Sequence, residues 1–292
     1  MKRQPAAIIP EKIAAVCQST AERRLWLSQL PKAVRSLEER WSLEIGTPFD
    51  GDEVSCAWVA PVTLADGTSA ILKLGMPHME AEHEIAGLRF WAGDPTVQVL
   101  EADEGLGAML LERCEPGTAL RELPEIEQDI ILASLLRRLW RVPPAPHCFR
   151  PLAAMTACWS SETLERAAHW ADAGLVSEGL RLFEKLPETA ATEVLLATDL
   201  HAGNVLRAAR EPWLVIDPKP FLGDPAYDAT QHLLNCVGRL RSEPDRTIRR
   251  FAELLDLDYE RVRLWTFARV AVQAGNDMQS ERWVQLARAI GS

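Results

Sequence analysis

The stretch LLATDLHAGNVLRAAREPWLVIDPKP, Leu195–Pro220, sets two acidic residues on either side of two short apolar runs. The runs NVLRAA and PWLVID predict a β-hairpin whose turn lies between Arg210 and Glu211. With that turn Asn204 lies opposite Asp217, and directly opposed residues have Cβ atoms about 5 Å apart. A slip of one residue would put the two side chains on opposite faces. The sequence predicts that they meet at the open end of the hairpin.

Asn204 and Asp217 together predict a metal site. An amide oxygen and a carboxylate are hard ligands that suit Mg²⁺, which keeps several waters and binds substrate phosphate oxygens. Asp199 lies five residues before Asn204 in a short loop. The loop can fold this carboxylate back toward the metal, where it would accept a proton from a substrate hydroxyl. The order D-x-x-x-x-N, hairpin, I-D is typical of the catalytic loop and metal-binding aspartate of kinase-like phosphotransferases.

Such an enzyme also needs a lysine on a strand and a glutamate on the next helix. The predicted strand AILKLG supplies Lys73. Glu84 shares a helical face with Leu88 and Trp91, so it points toward the core. Glu80, one turn earlier, is the alternative. In this arrangement the lysine holds the α- and β-phosphates and the glutamate holds the lysine.

The remaining nucleotide contacts are less distinct in the sequence. The segment PFDGDEVSCAWV does not match G-x-G-x-x-G, yet its backbone N–H groups and the Ser55 hydroxyl can meet phosphate oxygens. The strand that runs into LLERCEPG ends at Glu112 and Cys114, whose main-chain groups can bind the edge of adenine. We therefore expect Lys73, Glu84, Ser55, Glu112 and Cys114 to bind the nucleotide.

Hydrophobic periodicity predicts the first part of the chain. Residues from Glu11 to Trp41 follow a helical pattern, with Pro31 suited to the first turn of a second helix. The runs VSCAWVAPVTL and TSAILKLG predict two strands joined by ADG. A helix is expected from Pro77 to near Gly93, and TVQVLEAD and GAMLLERC predict two more strands. The order is helices, then β-β-α-β-β.

After EPGT the sequence is almost wholly helical, apart from the hairpin. Amphipathic stretches are predicted at about 120–142, 155–186, 228–240, 245–256, 258–275 and 279–290. The prediction is an α+β fold with two lobes. Residues 1–113 form the N-terminal lobe, with an antiparallel sheet and one helix after a helical segment. Residues 114–292 form a larger, mainly helical lobe that carries the Asp199 loop and the hairpin.

Composition excludes several classes of function. With 47% hydrophobic and 25% charged residues among 292, the chain is typical of a globular protein. No apolar run approaches the roughly 20 residues of a membrane span, and we expect no signal peptide and no membrane partner. Six scattered cysteines without C-x-x-C spacing favour neither zinc nor a disulfide framework, and we expect a cytoplasmic protein.

The net charge of −10 argues against nucleic acid as a partner. The same charge favours a small cationic substrate. The sequence leaves the oligomeric state open between monomer and homodimer.

The chain resembles the aminoglycoside phosphotransferases, and most closely their streptomycin/hydroxyurea kinase branch. The resemblance lies in DGTSAILKL, LLERCEPGTAL, TDLHAGNVL, LVIDPKPFLGDPAYD and LLDLDYERVRLWTFARVAVQAGND, between about residues 40 and 280. It implies a two-lobed protein-kinase-like fold, ATP and Mg²⁺, and transfer of the γ-phosphoryl group to a hydroxyl of a small antibiotic. It also implies that Asp199 is the catalytic base and that Asn204 and Asp217 hold the metal.

One departure from the family concerns the residues before Asp199. The family usually has His-Gly there, and this chain has Ala197 and Thr198, with His201 two residues after the aspartate. The missing histidine normally packs the loop, so we expect activity to survive.

Each of the other polar residues near these motifs has two interpretations. Lys219 either touches a phosphate or is a loop cation. Asp224 and Asp228 either brace the loop and cap the next helix or bind substrate, and His201 either packs the loop or takes part in the reaction.

Three functions remain open at this point. The first is an ATP-dependent O-phosphotransferase acting on an aminoglycoside such as streptomycin, which would inactivate the antibiotic. The second is a metabolic kinase of the same fold for a sugar, a choline-like alcohol or an amino alcohol. The third is a non-catalytic nucleotide-binding module.

Overall fold

Strands and helices are both well represented in the chain. The computed structural model describes residues 8–51, 56–277 and 280–291. The strands are β1 Leu43–Ile45, β2 Ala57–Leu64, β3 Ser69–Gly75, β4 Val99–Asp103, β5 Ala108–Glu112, β6 Val194–Leu196, β7 Val205–Leu206, β8 Leu214–Val215 and β9 Phe221–Gly223. The helices are α1 Glu11–Val16, α2 Ala21–Trp41, α3 Glu84–Trp91, α4 Glu125–Leu139, α5 Leu152–Leu164, α6 Ala173–Glu188, α7 Pro225–Asn235, α8 Val237–Ser242, α9 Pro244–Leu255, α10 Tyr259–Asn276 and α11 Ser280–Gly291. This content confirms the predicted α+β class.

The N-terminal sheet places Lys73 on one defined face. Within the described residues five strands pair antiparallel in the order β1-β2-β3-β5-β4. Alternate residues of a strand point to opposite faces. Ala70, Leu72 and Leu74 of β3 pack in a cluster with the buried residues of α2, whereas Ile71 packs in a second cluster with Leu88 of α3. Lys73 shares the parity of Ile71 and therefore lies on the α3 face.

Helix α2 runs through the proline that the sequence predicts as a helix start. Pro31 lies inside Ala21–Trp41, so the predicted break there is wrong. A proline in a helix interior removes one backbone hydrogen bond and costs roughly 3 kcal/mol. Leu30, Val34 and Leu37 on either side of it are buried against the sheet. Burial of these side chains outweighs the local preference.

Helix α3 is shorter than predicted. It begins at Glu84 rather than at Pro77, and a single 3₁₀ turn, Met79–Ala81, precedes it. Its end agrees with the prediction, because Gly93 has φ of +82° just past the helix, the left-handed conformation that glycine adopts most readily. Glu84 is therefore the first helical residue.

The predicted hairpin forms with much shorter strands. Strands β7 and β8 have two residues each, not about five. Arg207 N–H donates to Thr118 O, and Val215 N–H donates to Pro95 O. The backbone of the hairpin thus also bonds to neighbouring segments of the chain.

Residues group into two compact units. Of the described residues, those within 1–118 and 206–216 form one unit, and those within 119–205 and 217–292 form the other. The lobe boundary predicted between residues 113 and 114 stays a prediction. In the described part of the chain, none of the helices is both long and apolar enough to cross a membrane.

The second unit is mainly helical and includes close helix contacts. The predicted stretch 155–186 is divided between α5 and α6. Strands β6 and β9, which the sequence did not predict as a pair, form a small antiparallel ladder. A Cβ at Gly179 of α6 would lie 2.7 Å from the Cβ of Ala271 in α10. The glycine therefore permits these two helices to approach closely.

Candidate active site

Lys73 and Glu84 form an ion pair in the first unit. Lys73 Nζ lies 2.5 Å from Glu84 Oε1, and the two residues are 6% and 2% exposed. In a pair this buried, mutual attraction offsets the loss of water, so removal of one partner leaves an uncompensated charge. Of the two glutamates considered from the sequence, Glu84 is the one that contacts the lysine in this pair.

The other nucleotide candidates lie in different surroundings. Ser55 is outside the described residues. The carboxylate of Glu112 accepts from Arg210 Nε at 3.0 Å and from Arg210 Nη2 at 2.8 Å, and it also accepts from Gln98 N–H. Burial raises the pKa of the Cys114 thiol to about 12. The carboxylate of Glu112 is thus bonded within the protein, and the thiol of Cys114 is partly buried. The predicted contacts with adenine involve the main chain of these residues and not their side chains.

A buried carboxylate holds the 197–204 loop, which carries Asp199. Asp228 Oδ1 accepts from Thr198 N–H at 2.7 Å, and its Oδ2 accepts from Ala197 N–H at 3.0 Å and from the Trp140 indole at 3.1 Å. Burial raises the pKa of Asp228 to about 6, and the hydrogen bonds oppose that rise. The carboxylate braces the loop through main-chain donors.

This bracing accounts for Ala197 and Thr198 at the places of the usual His-Gly. Every residue except proline supplies a backbone N–H, so Asp228 can hold the loop whatever side chains stand there. Thr198 has φ of +47°, a conformation in which glycine is favoured. Its hydroxyl donates to Lys219 O at 2.7 Å, a contact that glycine lacks.

Asp199 is held at both its carboxylate and its carbonyl. Its Oδ1 accepts from Gln231 Nε2 at 2.7 Å, and its main-chain oxygen accepts from Asn204 Nδ2 at 3.0 Å. Gln231 Oε1 in turn accepts from Arg269 Nη2 at 2.6 Å. Asp199 as a residue is partly exposed.

Asn204 directly precedes the first strand of the hairpin, and Asp217 follows its second strand. Asn204 ends a 3₁₀ turn that follows His201, whose Nδ1 accepts from Gly203 N–H at 3.1 Å. Burial lowers the pKa of His201, although the charge of Asp217 acts in the opposite direction. Asp217 has φ of +52°, and its Oδ1 accepts from Lys219 Nζ at 2.6 Å.

The amide oxygen of Asn204 and the carboxylate of Asp217 are ligands of the kind that Mg²⁺ binds. Because Asn204 Nδ2 donates to a carbonyl, the orientation of its amide is set and Oδ1 is the atom presented to a ligand. No group of three or more His, Cys, Asp or Glu side chains suited to a metal ion occurs in the described ranges. An amide and a carboxylate match the few protein ligands that Mg²⁺ takes when substrate phosphates complete its coordination.

Asp224 caps α7. Its Oδ1 accepts from Ala226 N–H at 3.0 Å, and its Oδ2 accepts from Arg261 Nε at 2.6 Å and from the Trp265 indole at 2.7 Å. These contacts attach the start of α7 to α10. They correspond to the bracing alternative considered for this residue.

The second unit contains a cavity of about 400 Å³. Pockets for drug-sized ligands span about 300–1,000 Å³. Its walls include aromatic, charged and amide side chains, among them Trp159, Glu162, Phe183, Gln231, Arg269 and Trp283. Gln231 also donates to Asp199, so this side chain links the wall of the cavity to that carboxylate.

Gln231 and Arg269 were not among the site residues predicted from the sequence. A signal for Gln231 was present, because it lies three residues after Asp228 in α7 and residues at that spacing share a helical face. Arg269 carried no comparable signal. It reaches Gln231 from α10, 38 residues away in sequence, and only the packing of the helices brings them together.

Known proteins resemble this chain over most of its length. A family described as aminoglycoside/hydroxyurea antibiotic resistance kinase matches residues 40–279. A streptomycin 6-kinase of Streptomyces glaucescens is 36% identical, with 93% of this chain and 91% of that protein covered. A hydroxyurea phosphotransferase of Kitasatospora aureofaciens is 37% identical, with 92% of this chain and 81% of that protein covered.

Solved structures agree on the fold. The choline kinase LicA from Streptococcus pneumoniae superposes with a TM-score of 0.63 at 13% identity, covering 89% of this chain and 99% of LicA. This likeness confirms the predicted protein-kinase-like fold. The prediction of a phosphotransferase is confirmed by the family match, and the chain belongs to the aminoglycoside/hydroxyurea antibiotic resistance kinase family.

Proposed function

We propose that this protein transfers the γ-phosphoryl group of ATP to a hydroxyl of an aminoglycoside such as streptomycin, and thereby inactivates the antibiotic. The observation that carries the proposal is the Asp199 carboxylate, held by Gln231 beside a cavity of about 400 Å³ in a chain of this kinase family. ATP as the donor assigns the reaction to the cytoplasm.

Asp199 is the base in this proposal. A carboxylate accepts through both oxygens, so the hydrogen bond from Gln231 to Oδ1 does not prevent it from accepting the proton of a substrate hydroxyl. The backbone contacts of Asp228 hold the loop in place while this happens. Positioning of this kind supplies much of the rate enhancement in phosphoryl transfer.

The remaining residues bind the nucleotide and the metal. Lys73, held by Glu84, contacts the α- and β-phosphates, with support from Ser55 and the main chain at Glu112 and Cys114. Asn204 and Asp217 would hold Mg²⁺, which when bound neutralises charge on the triphosphate. Lys219 contacts Asp217 and provides a further positive charge next to that carboxylate.

The cavity favours an aminoglycoside over a smaller acceptor. Tryptophan faces bind cations and sugar rings, and a carboxylate binds guanidinium groups. Trp159, Trp283 and Glu162 supply these groups in the cavity wall. The net charge of −10 also favours a cation. Hydroxyurea is the second candidate, because a hydroxyurea phosphotransferase is 37% identical, but it would fill only a small part of about 400 Å³.

A mass-spectrometric assay tests the proposal. Purified protein with ATP and Mg²⁺ is given streptomycin, other aminoglycosides, hydroxyurea and choline in separate reactions. We expect streptomycin to gain the mass of one phosphoryl group, and the Asp199→Asn variant to lose that activity. Transfer to hydroxyurea or choline alone would assign a different acceptor. ATP binding without transfer to any compound would overturn the proposed function.

A further inference from the structure

Three side chains form a continuous hydrogen-bonded row in the second unit. Arg269 of α10 donates to Gln231 of α7, and Gln231 donates to Asp199, at 2.6 and 2.7 Å. The row begins at a residue of the cavity wall and ends at the carboxylate proposed as the base. Both Gln231 and Arg269 line the cavity.

Chemistry sets the direction of this row. A guanidinium group only donates, so the atom of Gln231 that faces Arg269 is the amide oxygen. The amide nitrogen then faces Asp199, where it donates to Oδ1. Arg269 therefore determines which way round the amide of Gln231 lies, and an amide turned round would present an oxygen to the carboxylate.

Arg269 is itself held in place. Its Nη1 donates to Thr230 Oγ1 at 2.8 Å. Its guanidinium lies 5.0 Å from the ring centroid of Tyr227 and 5.9 Å from that of Trp159. Such contacts reduce the freedom of a long side chain. Because Trp159 lines the cavity, a ligand that contacts this ring is linked through Arg269 and Gln231 to Asp199.

We propose that Gln231 is a positioning residue that orients the Asp199 carboxylate toward the acceptor hydroxyl, and that Arg269 sets the orientation of Gln231. This inference rests on the proposed function, in which Asp199 is the base. Gln231 acts on the transfer step and leaves nucleotide binding to other residues. Its loss thus lowers kcat and leaves the affinity for ATP unchanged.

Two variants of Gln231 test the positioning role. Gln231→Leu removes the donor to Asp199 and the acceptor for Arg269. Gln231→Glu keeps the size and the contact with Arg269 but replaces the donor by a carboxylate oxygen. A hydrogen bond to a charged group is lost in each, and we expect kcat to fall about 10- to 100-fold in both. The KM for ATP and the Kd for ATP should stay within about twofold.

A matched control comes from the same helix. Asn235 lies one turn after Gln231, is exposed, and donates to the main-chain oxygen of Gln231. Asn235→Leu removes an amide from α7 without touching Asp199, so its kcat should stay within about twofold of wild type. Arg269→Lys retains a cationic donor for the amide oxygen, and we expect it to keep more activity than Arg269→Ala.

The outcomes separate this inference from the proposed function. If Asp199→Asn is inactive while both Gln231 variants keep kcat within twofold, the positioning role is overturned and the base assignment stands. If Asp199→Asn transfers phosphate at the wild-type rate, the assignment of Asp199 as the base fails and the positioning role fails with it, whereas the proposed function fails only if the wild type phosphorylates none of the compounds. If Asn235→Leu loses as much kcat as Gln231→Leu, or if the Gln231 variants lose ATP affinity as much as kcat, the effect belongs to the helix and the positioning role is overturned.

Discussion

Two buried carboxylates of the second unit, Asp129 and Asp228, are held in opposite ways. Asp129 accepts from Arg239 at 2.6 and 2.7 Å, from His232 at 2.8 Å and from Arg250 at 3.0 Å. Asp228 accepts from two backbone N–H groups and an indole N–H. One carboxylate is balanced by cationic side chains and the other by neutral donors.

The difference appears in their protonation. Burial alone would raise the pKa of Asp129, but the hydrogen bonds and charges of Arg239 and His232 hold it below its ordinary value. Burial prevails at Asp228 and raises its pKa to about 6. The contacts of Asp129 with His232 and Arg239 join α4 to α7 and α8, so this carboxylate stabilises the packing of three helices. The hydrogen bonds of Asp228 with uncharged backbone donors instead set the conformation of the loop that carries Asp199.

The largest effect is expected from removal of the Asp199 charge, which lies on the loop that Asp228 holds through neutral backbone donors. We expect Asp199→Asn to lower kcat about 100- to 10,000-fold, the usual contribution of a general base. Affinity for ATP should change little, since the proposed nucleotide contacts lie elsewhere. Steady-state kinetics and calorimetric titration with ATP measure the two quantities, and a loss of ATP binding equal to the loss of kcat would contradict the assignment.

Breaking the charged network should affect stability rather than the reaction. Asp129→Asn removes the buried charge that Arg239, His232 and Arg250 share. It leaves Arg239 with the partly exposed Glu125 as a counter-charge, and we expect the free energy of unfolding to fall by about 3–5 kcal/mol. Urea denaturation measures the change. The kcat of the protein that remains folded should stay within about twofold, and a much larger loss of kcat would show that the two networks are not separate.

The two carboxylates should respond to pH with opposite signs. An unfolded aspartate has a pKa of about 3.9, so the folded state binds the Asp228 proton more tightly, and this carboxyl stabilises the fold less as pH rises from about 4 to about 6. The pKa of Asp129 is lowered, so its contribution is complete above about pH 4 and is lost as pH falls further.

Denaturation of the wild type and of Asp228→Asn between pH 4.5 and pH 7 measures the Asp228 part. The variant lacks the titrating group, so the stability of the wild type relative to it should decrease by about 2 kcal/mol over that range. A relative stability that increases with pH would contradict the raised pKa.

The smallest effect is expected from removal of Arg250, the partly exposed partner of Asp129. Arg250 is partly exposed, and its Nε donates to Asp129 Oδ2 at 3.0 Å while Arg239 binds the same carboxylate with two nitrogens. Because solvent screens an exposed cation, we expect Arg250→Ala to cost only about 1 kcal/mol. Urea denaturation of Arg250→Ala and of Asp129→Asn under the same conditions gives the comparison. An equal fall in the free energy of unfolding in the two variants would mean that Arg250, and not Arg239, supplies most of the stabilisation of Asp129.

Local pattern was enough to predict some contacts and not others. The kinase-like arrangement, together with the helical face that Glu84 shares with Leu88 and Trp91, predicted that Glu84 contacts Lys73, because that face repeats every 3.6 residues. The hairpin was expected from its apolar runs, but the predicted strand length of about five residues was wrong, since each strand has two residues. Pro31 was misjudged because sheet packing exceeds a local preference.

The sequence by itself determined the family, the α+β class and the residues of the D-x-x-x-x-N motif, because these depend on residue types at short fixed spacings. The sequence left two interpretations of Asp228 open, and tertiary structure decided that it braces the 197–204 loop, 30 and 31 residues away from the main-chain groups that it binds. It also decided that Arg269 of α10 holds Gln231 beside Asp199. Such contacts arise only where helices pack, and local spacing carries no record of which helix faces will meet.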